Sequence, residues 1–182
     1  KPWCVRVGSS RIEANIMTDY TFTIHTPENA PEGSRAGLEG AKKKMGMVPN
    51  LLGVLAGAPS ALASYQALSG AIASSSFTPT EQQVVLIATS VENDCRYCVA
   101  AHTTISKGAR VPEDVLDSLR SDTPIADSKL EALRQFTLAN VRKKGWVEAD
   151  DHNMLKKFLD ANSGAVADDH DDMPVFLARN AW

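Results

Sequence analysis

Residues 78–102 read TPTEQQVVLIATSVENDCRYCVAAH, and this stretch decides the fold. Thr78 is followed by Pro79 and Glu81, which is the pattern of a helix N-terminus. In that pattern the threonine oxygen and the glutamate carboxylate each accept a hydrogen bond from a backbone N–H with no partner inside the helix. Apolar residues then recur at helical spacing and predict one buried face, made of Val84, Ile87, Ala88 and Val91. We therefore predict a capped amphipathic helix leading into a second helix.

The second helix carries two thiols and an imidazole. Asn93 or Asp94 is expected to cap it, which puts Cys95 in its first turn. Residues three and four apart share a helix face, so Cys95, Cys98 and His102 are predicted to form one stripe. Two thiols at this spacing can close a disulfide, and a nearby imidazole can take a proton from one of them. The motif is therefore interpreted as a redox site.

Two effects that lower the pKa of a thiol favour different cysteines in this motif. The partial positive charge of the helix N-terminus acts most on Cys95, whereas the His102 side chain leans back toward Cys98. Along the helix axis, His102 is about 6 Å from Cys98 and about 10 Å from Cys95. Direct proton transfer thus favours the Cys98–His102 pair, and Cys95 stays the competing candidate for the thiolate.

The rest of the chain is also predicted to be helical. Helical periods, caps and glycine stops indicate segments at about Ser34–Met45, Pro49–Gly57, Ser60–Ser74, Pro112–Leu119, Ser128–Gly145 and Glu148–Asp160. Ser34 is expected to cap the first of these, and Ser128 with Glu131 to form a capping box. No segment of comparable length alternates like a strand. The fold class is therefore predicted to be all-α.

Length and composition limit the classes of function. A chain of 182 residues suits one well-buried domain, and a net charge of -3 without long blocks of one sign gives no indication of a nucleic-acid partner. The three cysteines, a close pair and the distant Cys4, do not match a secreted disulfide framework, so a cytoplasmic location is expected. The most apolar region, residues 51–73, is interrupted by Pro59 and Gln66, so no membrane partner is expected.

Three segments are expected along the chain. Residues 1–16 have no clear period and precede Met17, so they are interpreted as upstream or cloning-derived sequence, with an ordered arm as the alternative. Residues 17–161 are expected to form the helical domain. Residues 162–182 contain an acidic run without apolar period and are expected to be irregular.

A Cys-x-x-Cys motif can also serve other chemistries. Covalent haem attachment needs a histidine directly after the second cysteine, and Val99 occupies that position. A structural zinc site needs about four ligands, so the two thiols and the imidazole would require one more, for which the candidates are His25, His152 and His170. A thioredoxin-like motif follows a strand, whereas a helix precedes this one. Buried thiols without any chemistry are the plainest alternative.

The run from Thr80 to Ser90, followed by Cys95-x-x-Cys98-Val99-Ala100-Ala101-His102, resembles the core signature of the carboxymuconolactone decarboxylase superfamily, specifically its alkylhydroperoxidase D-like branch. The likeness spans about residues 32–160, and its specific part is residues 78–108. It implies an all-helical protein that assembles into trimers or hexamers and has no resident cofactor. It also implies reduction of hydroperoxides through the cysteine pair, which a dithiol reductant of unknown identity regenerates.

The resemblance also implies roles for individual residues. Cys98 falls where the family has the peroxide-attacking cysteine, Cys95 where it has the resolving cysteine, and His102 on the relay histidine. Two positions depart from the pattern, since Gln83 replaces a relay glutamate and Tyr97 replaces a histidine. The alternatives are a carboxymuconolactone decarboxylase-like lyase, whose class lacks the redox pair, and a non-catalytic redox-sensing or zinc-stabilised helical module.

Overall fold

The computed structural model describes residues 22–162. Within this range the chain forms eight helices and no strand: α1 Glu32–Met45, α2 Asn50–Leu55, α3 Pro59–Ala73, α4 Pro79–Glu92, α5 Arg96–Gly108, α6 Glu113–Arg120, α7 Ser128–Arg142 and α8 Ala149–Asn162. The predicted all-α fold class is confirmed. The predictions for residues 1–16, with Cys4, and for the acidic segment after Asn162 concern parts of the chain outside the described residues.

The chain divides into two compact units, with the division between Leu68 and Ser69 inside α3. In the first unit a small core is formed by Ala30, Leu38, Ala41, Leu52, Ala56 and Leu62. Ser34 is fully buried there, and its hydroxyl donates a 2.7 Å hydrogen bond to the carbonyl of Ala56. The prediction that Ser34 caps α1 is therefore wrong, because this helix begins two residues earlier and the serine side chain bonds to the end of α2.

The second unit contains the cysteine motif. Here α4 packs against α5, α6 and α7, α8 packs against α7, and α6 also contacts α5. The buried core consists of Val84, Ile87, Ala88, Val111, Val115, Leu116, Leu119, Ile125, Ala132, Leu133, Leu138 and Phe158. It includes Val84, Ile87 and Ala88 from the predicted buried face of α4, and Val91 packs against it partly buried. This core holds α4 in place, and α5 packs against α4.

The N-terminus of α4 has the predicted capping box. Thr78 Oγ1 accepts a hydrogen bond from the backbone N–H of Glu81, and the Glu81 carboxylate accepts one from the backbone N–H of Thr78, at 3.3 and 2.7 Å. The same carboxylate also lies 2.6 Å from Lys129 Nζ on α7 and is almost fully buried. Glu81 therefore stabilises the start of α4 and its packing against α7.

The cap of α7 and the end of α8 also differ from the predictions. The N-cap of α7 is Asp127, whose carboxylate accepts hydrogen bonds from the backbone N–H groups of Lys129 and Leu130, so Ser128 is the first helical residue. Glu131 bonds instead to the backbone N–H of Ile125 in the preceding loop. A short acidic side chain caps well, and here it displaces the predicted serine. Helix α8 continues to the end of the described chain.

None of the helices between residues 22 and 162 combines the length and the apolar character that a membrane crossing requires.

Candidate active site

Cys95 is itself the N-cap of α5. Its Sγ accepts a hydrogen bond from the backbone N–H of Cys98 at 3.4 Å, and its own N–H donates to the carbonyl of Ser90 at 2.9 Å. The prediction that Asn93 or Asp94 caps this helix is wrong. Asn93 ends α4, and Asp94 has a positive φ of 51°, which turns the chain between the two helices. The sulfur atom thus occupies the position where the unpaired N–H groups of α5 converge.

The pKa values of the two thiols are shifted in opposite directions. The pKa of Cys95 is lowered by a hydrogen bond from the Cys98 side chain and then by one from the Cys98 backbone N–H. The pKa of Cys98 is raised, because its thiol is held as the donor in that bond and because it is partly buried. Hydrogen bonds and a helix N-terminus stabilise a thiolate. The arrangement therefore favours a thiolate at Cys95 and a protonated thiol at Cys98.

His102 is oriented by an amide rather than by a carboxylate. Its Nδ1 lies 3.2 Å from Oε1 of Gln83, a buried residue on α4. With the amide oxygen facing the ring, Nδ1 carries the hydrogen and Nε2 carries the lone pair. Burial lowers the pKa of His102 and so favours the neutral imidazole. The backbone is also anchored here, since Ser106 Oγ donates a 2.7 Å hydrogen bond to the His102 carbonyl.

The two glutamates nearest in sequence to the expected relay position have other partners. Glu81 is part of the capping box and pairs with Lys129. The side chain of Glu92 is only 23% exposed and forms a two-point ion pair with Arg142, with N–O distances of 2.9 and 2.8 Å. Among the described residues near His102, the amide of Gln83 therefore occupies the position expected for a relay carboxylate.

A cavity of about 420 Å³ opens beside Cys95. Its lining consists of Ser90, Val91, Asp94, Cys95, Arg96, Val99, Ala100, Thr103 and Arg120. Cys98 and His102 do not line it. Thr103 Oγ1 is buried and has no hydrogen-bond partner, whereas Arg120 is held by Glu113 and Asp117. The cavity is large enough for a small organic molecule.

The predicted stripe of three residues therefore divides between two faces of α5. Cys95, Val99 and Thr103, at intervals of four residues, line the cavity. Cys98 and His102 instead contact α4, through the hydroxyl of Ser90 and the amide of Gln83. Four-residue spacing defines each face. The hydrogen bonds between the cysteines connect the two faces at the start of the helix.

The side chains that could bind a metal ion do not form a cluster within residues 22–162. Within residues 22–162, no group of three or more His, Cys, Asp or Glu side chains is placed to hold a metal ion. Of the histidines considered as a fourth zinc ligand, His25 lies in the first unit and His152 is an exposed residue of α8. His170 is outside the part of the chain that the structure describes.

The model of the carboxymuconolactone decarboxylase family matches residues 59–137, from the start of α3 into α7. This match supports the resemblance of the chain to the carboxymuconolactone decarboxylase superfamily. The matched part of the chain includes α4 and α5. It therefore contains both motif cysteines, Gln83 and His102. No curated protein matches the chain at a significant level. Assignment to the alkylhydroperoxidase D-like branch stays a prediction.

Sequence reasoning selected Cys95, Cys98 and His102 but missed two features of the site. It did not select Thr103, although this residue stands eight positions after Cys95 and so shares its helix face. It also did not predict that Gln83 bonds directly to His102. Gln83 stands at the position of the relay glutamate, which pointed to a role in the site. Its contact with His102, however, depends on how α4 and α5 pack.

Proposed function

We propose that this chain is a thiol-dependent hydroperoxide reductase in which Cys95 and Cys98 are the redox pair and His102 handles protons. The observation that carries the proposal is the hydrogen-bonded pair of thiols at the start of α5, beside a cavity of about 420 Å³. Peroxide reduction by two cysteines needs one thiolate as nucleophile and one nearby thiol to resolve the oxidised product. The opposite pKa shifts of the pair match this requirement.

The proposed reaction has three steps. A thiolate attacks the terminal oxygen of a hydroperoxide ROOH, the O–O bond breaks, and the leaving alkoxide takes up a proton to give ROH. The attacking sulfur becomes a sulfenic acid, and the second thiol condenses with it to form a disulfide and release water. A dithiol reductant then reduces this disulfide by exchange and is itself oxidised to a disulfide.

His102 fits the proton-handling role by its protonation state. The ring is neutral when its pKa is lowered, so Nε2 can accept a proton near neutral pH. Gln83 holds Nδ1 and cannot itself ionise, so it acts as a positioning residue for the ring. The remaining partners are part of the same proposal: a hydroperoxide substrate, a dithiol donor and further copies of this chain in a trimer or hexamer, in the cytoplasm.

The experiment compares peroxide consumption by the full chain in the presence of dithiothreitol, with cumene hydroperoxide as substrate. We expect the Cys95→Ser/Cys98→Ser double variant to lose at least about tenfold in rate, because it has no thiolate at the site. Cys4→Ser serves as the matched control, since it removes a thiol outside the motif, and it should keep the wild-type rate. Wild-type turnover in the double variant would contradict the proposal.

A decarboxylase acting on a muconolactone-like acid is the second candidate, and the description of the matching family favours it. Such an enzyme has no need for the thiol pair. Turnover of the lactone that survives complete alkylation of the cysteines would support it. One equivalent of zinc in the purified protein would instead support a non-catalytic, metal-stabilised module.

A further inference from the structure

We infer that Cys95 is the sulfur that attacks the hydroperoxide and Cys98 the thiol that resolves it, with the substrate bound in the cavity beside Thr103. This inference rests on the proposed function, and it reverses the order of the two cysteines that the resemblance implies. Its basis is the division of α5 into two faces.

Access to the cavity separates the cysteines. Cys95 lines the cavity, whereas Cys98 does not and lies within hydrogen-bonding reach of Ser90 on α4. A hydroperoxide in the cavity therefore meets Cys95 first.

The hydrogen bonds around the thiols favour the same order. Cys95 Sγ accepts from the backbone N–H of Cys98 and lies at the N-terminus of α5, where a negative charge is stabilised. The Cys98 side chain donates to it, and this bond lowers the pKa of Cys95 and raises that of Cys98. The thiol that is more acidic is thus also the one in contact with the cavity.

Thr103 supplies a contact for the substrate. Its hydroxyl is buried and unpartnered, and it lies on the same face of α5 two turns after Cys95. This hydroxyl has almost no accessible surface, so the Thr103 side chain has to rotate to meet a ligand oxygen. The bond it then forms removes the cost of a buried hydroxyl without a partner. The apolar side chains of Val91, Val99 and Ala100 line the same cavity and suit the organic substituent of ROOH.

The order of the cysteines fixes the chemistry of each sulfur. The Cys95 thiolate attacks the terminal oxygen of ROOH, which oxidises the sulfur by two electrons, and the alkoxide takes a proton from water in the open cavity. Cys98 then attacks the Cys95 sulfenic acid to form the S–S bond, the S–O bond breaks, and the Cys98 thiol proton goes to the departing hydroxyl, which leaves as water. An external dithiol attacks the disulfide at Cys95, which is the accessible sulfur, and releases Cys98.

The test uses reduced full-length Cys95→Ser and Cys98→Ser, each treated with one equivalent of cumene hydroperoxide and dimedone, which labels sulfenic acids. Both substitutions are small, and serine at position 95 keeps an oxygen to cap α5. We expect Cys98→Ser to consume one equivalent and to carry the label on Cys95. Cys95→Ser should react at least about tenfold more slowly, because a thiol without a lowered pKa is only a few per cent thiolate at neutral pH.

The possible results separate the two proposals. Rapid labelling of Cys98 in Cys95→Ser, with no label on Cys95 in Cys98→Ser, would overturn the order of the cysteines while leaving the peroxidase function in place. Folded wild-type protein that consumes no peroxide would overturn the proposed function itself. Label on Cys95 combined with slow reaction of Cys95→Ser supports both.

Discussion

His102 Nδ1 and Gln83 Oε1 lie 3.2 Å apart and connect α5 to α4. The amide oxygen accepts the Nδ1 hydrogen, so it fixes the tautomer and the orientation of the ring without exchanging a proton. The resemblance expects a glutamate at position 83, which would pair with a charged imidazolium. With glutamine there and burial around it, the imidazole is instead held neutral.

Replacing Gln83 by glutamate should raise the pKa of His102. A carboxylate at hydrogen-bonding distance stabilises the imidazolium and counteracts the burial that now lowers this pKa. The pKa is measured by NMR titration of the imidazole resonances. Gln82→Glu is the control, since it adds the same charge at the neighbouring position, where the side chain bonds to the Phe77 carbonyl instead. Equal shifts in both variants would show that the contact with Gln83 is not responsible.

The same burial predicts how stability depends on pH. The pKa of His102 is lowered in the folded state, so below the ordinary histidine pKa of 6.5 the unfolded chain binds a proton that the folded chain does not. Stability contributed by the neutral ring is therefore complete above pH 6.5 and falls as the pH drops toward the folded pKa. Urea unfolding of wild type and His102→Gln between pH 7 and 5 measures the difference.

His102→Gln should lose less stability than wild type over this range. His152→Gln is the matched control, because His152 is exposed on α8, and it should follow the wild-type curve. If His102→Gln and wild type lose stability in parallel, the buried imidazole does not cause the pH dependence.

Local sequence signals predicted the helices well and the site only in part. The capping box of Thr78 and Glu81 was readable because both partners lie within four residues. The cap of α5 was not, because a thiol is an uncommon N-cap and the neighbouring Asn93 and Asp94 are stronger candidates by composition. Helical spacing put Cys95, Cys98 and His102 on one stripe, but only the packing of α4 on α5 determines which of them reach the cavity.

Cys95 should contribute to stability as a cap independently of its redox role. Its Sγ accepts the Cys98 N–H, and serine can accept the same bond whereas alanine cannot. We expect Cys95→Ser to melt about 2 to 4 °C above Cys95→Ala, while both variants lose peroxide turnover. Thermal unfolding of the reduced proteins followed by circular dichroism measures this. Identical melting temperatures would mean that the cap does not stabilise α5.

Thr103→Val should weaken substrate binding without weakening the fold. Valine keeps the shape of threonine but removes the hydroxyl, which is buried and unpartnered in a residue that lines the cavity. Loss of one hydrogen bond to a bound hydroperoxide should lower kcat/KM by about three- to tenfold. Removing an unsatisfied buried hydroxyl should at the same time leave the unfolding free energy unchanged or raise it.

Thr104→Val is the matched control for this prediction. Thr104 is the next residue on α5, is exposed, and donates its hydroxyl to the Ala100 carbonyl, outside the cavity lining. Initial rates over a series of cumene hydroperoxide concentrations, together with urea unfolding, should separate the two variants, because Thr104→Val keeps the wild-type kcat/KM. An equal loss of activity in both variants would trace the effect to the helix and not to a bond with substrate. A loss of stability in Thr103→Val alone would mean that its hydroxyl has a partner within the protein.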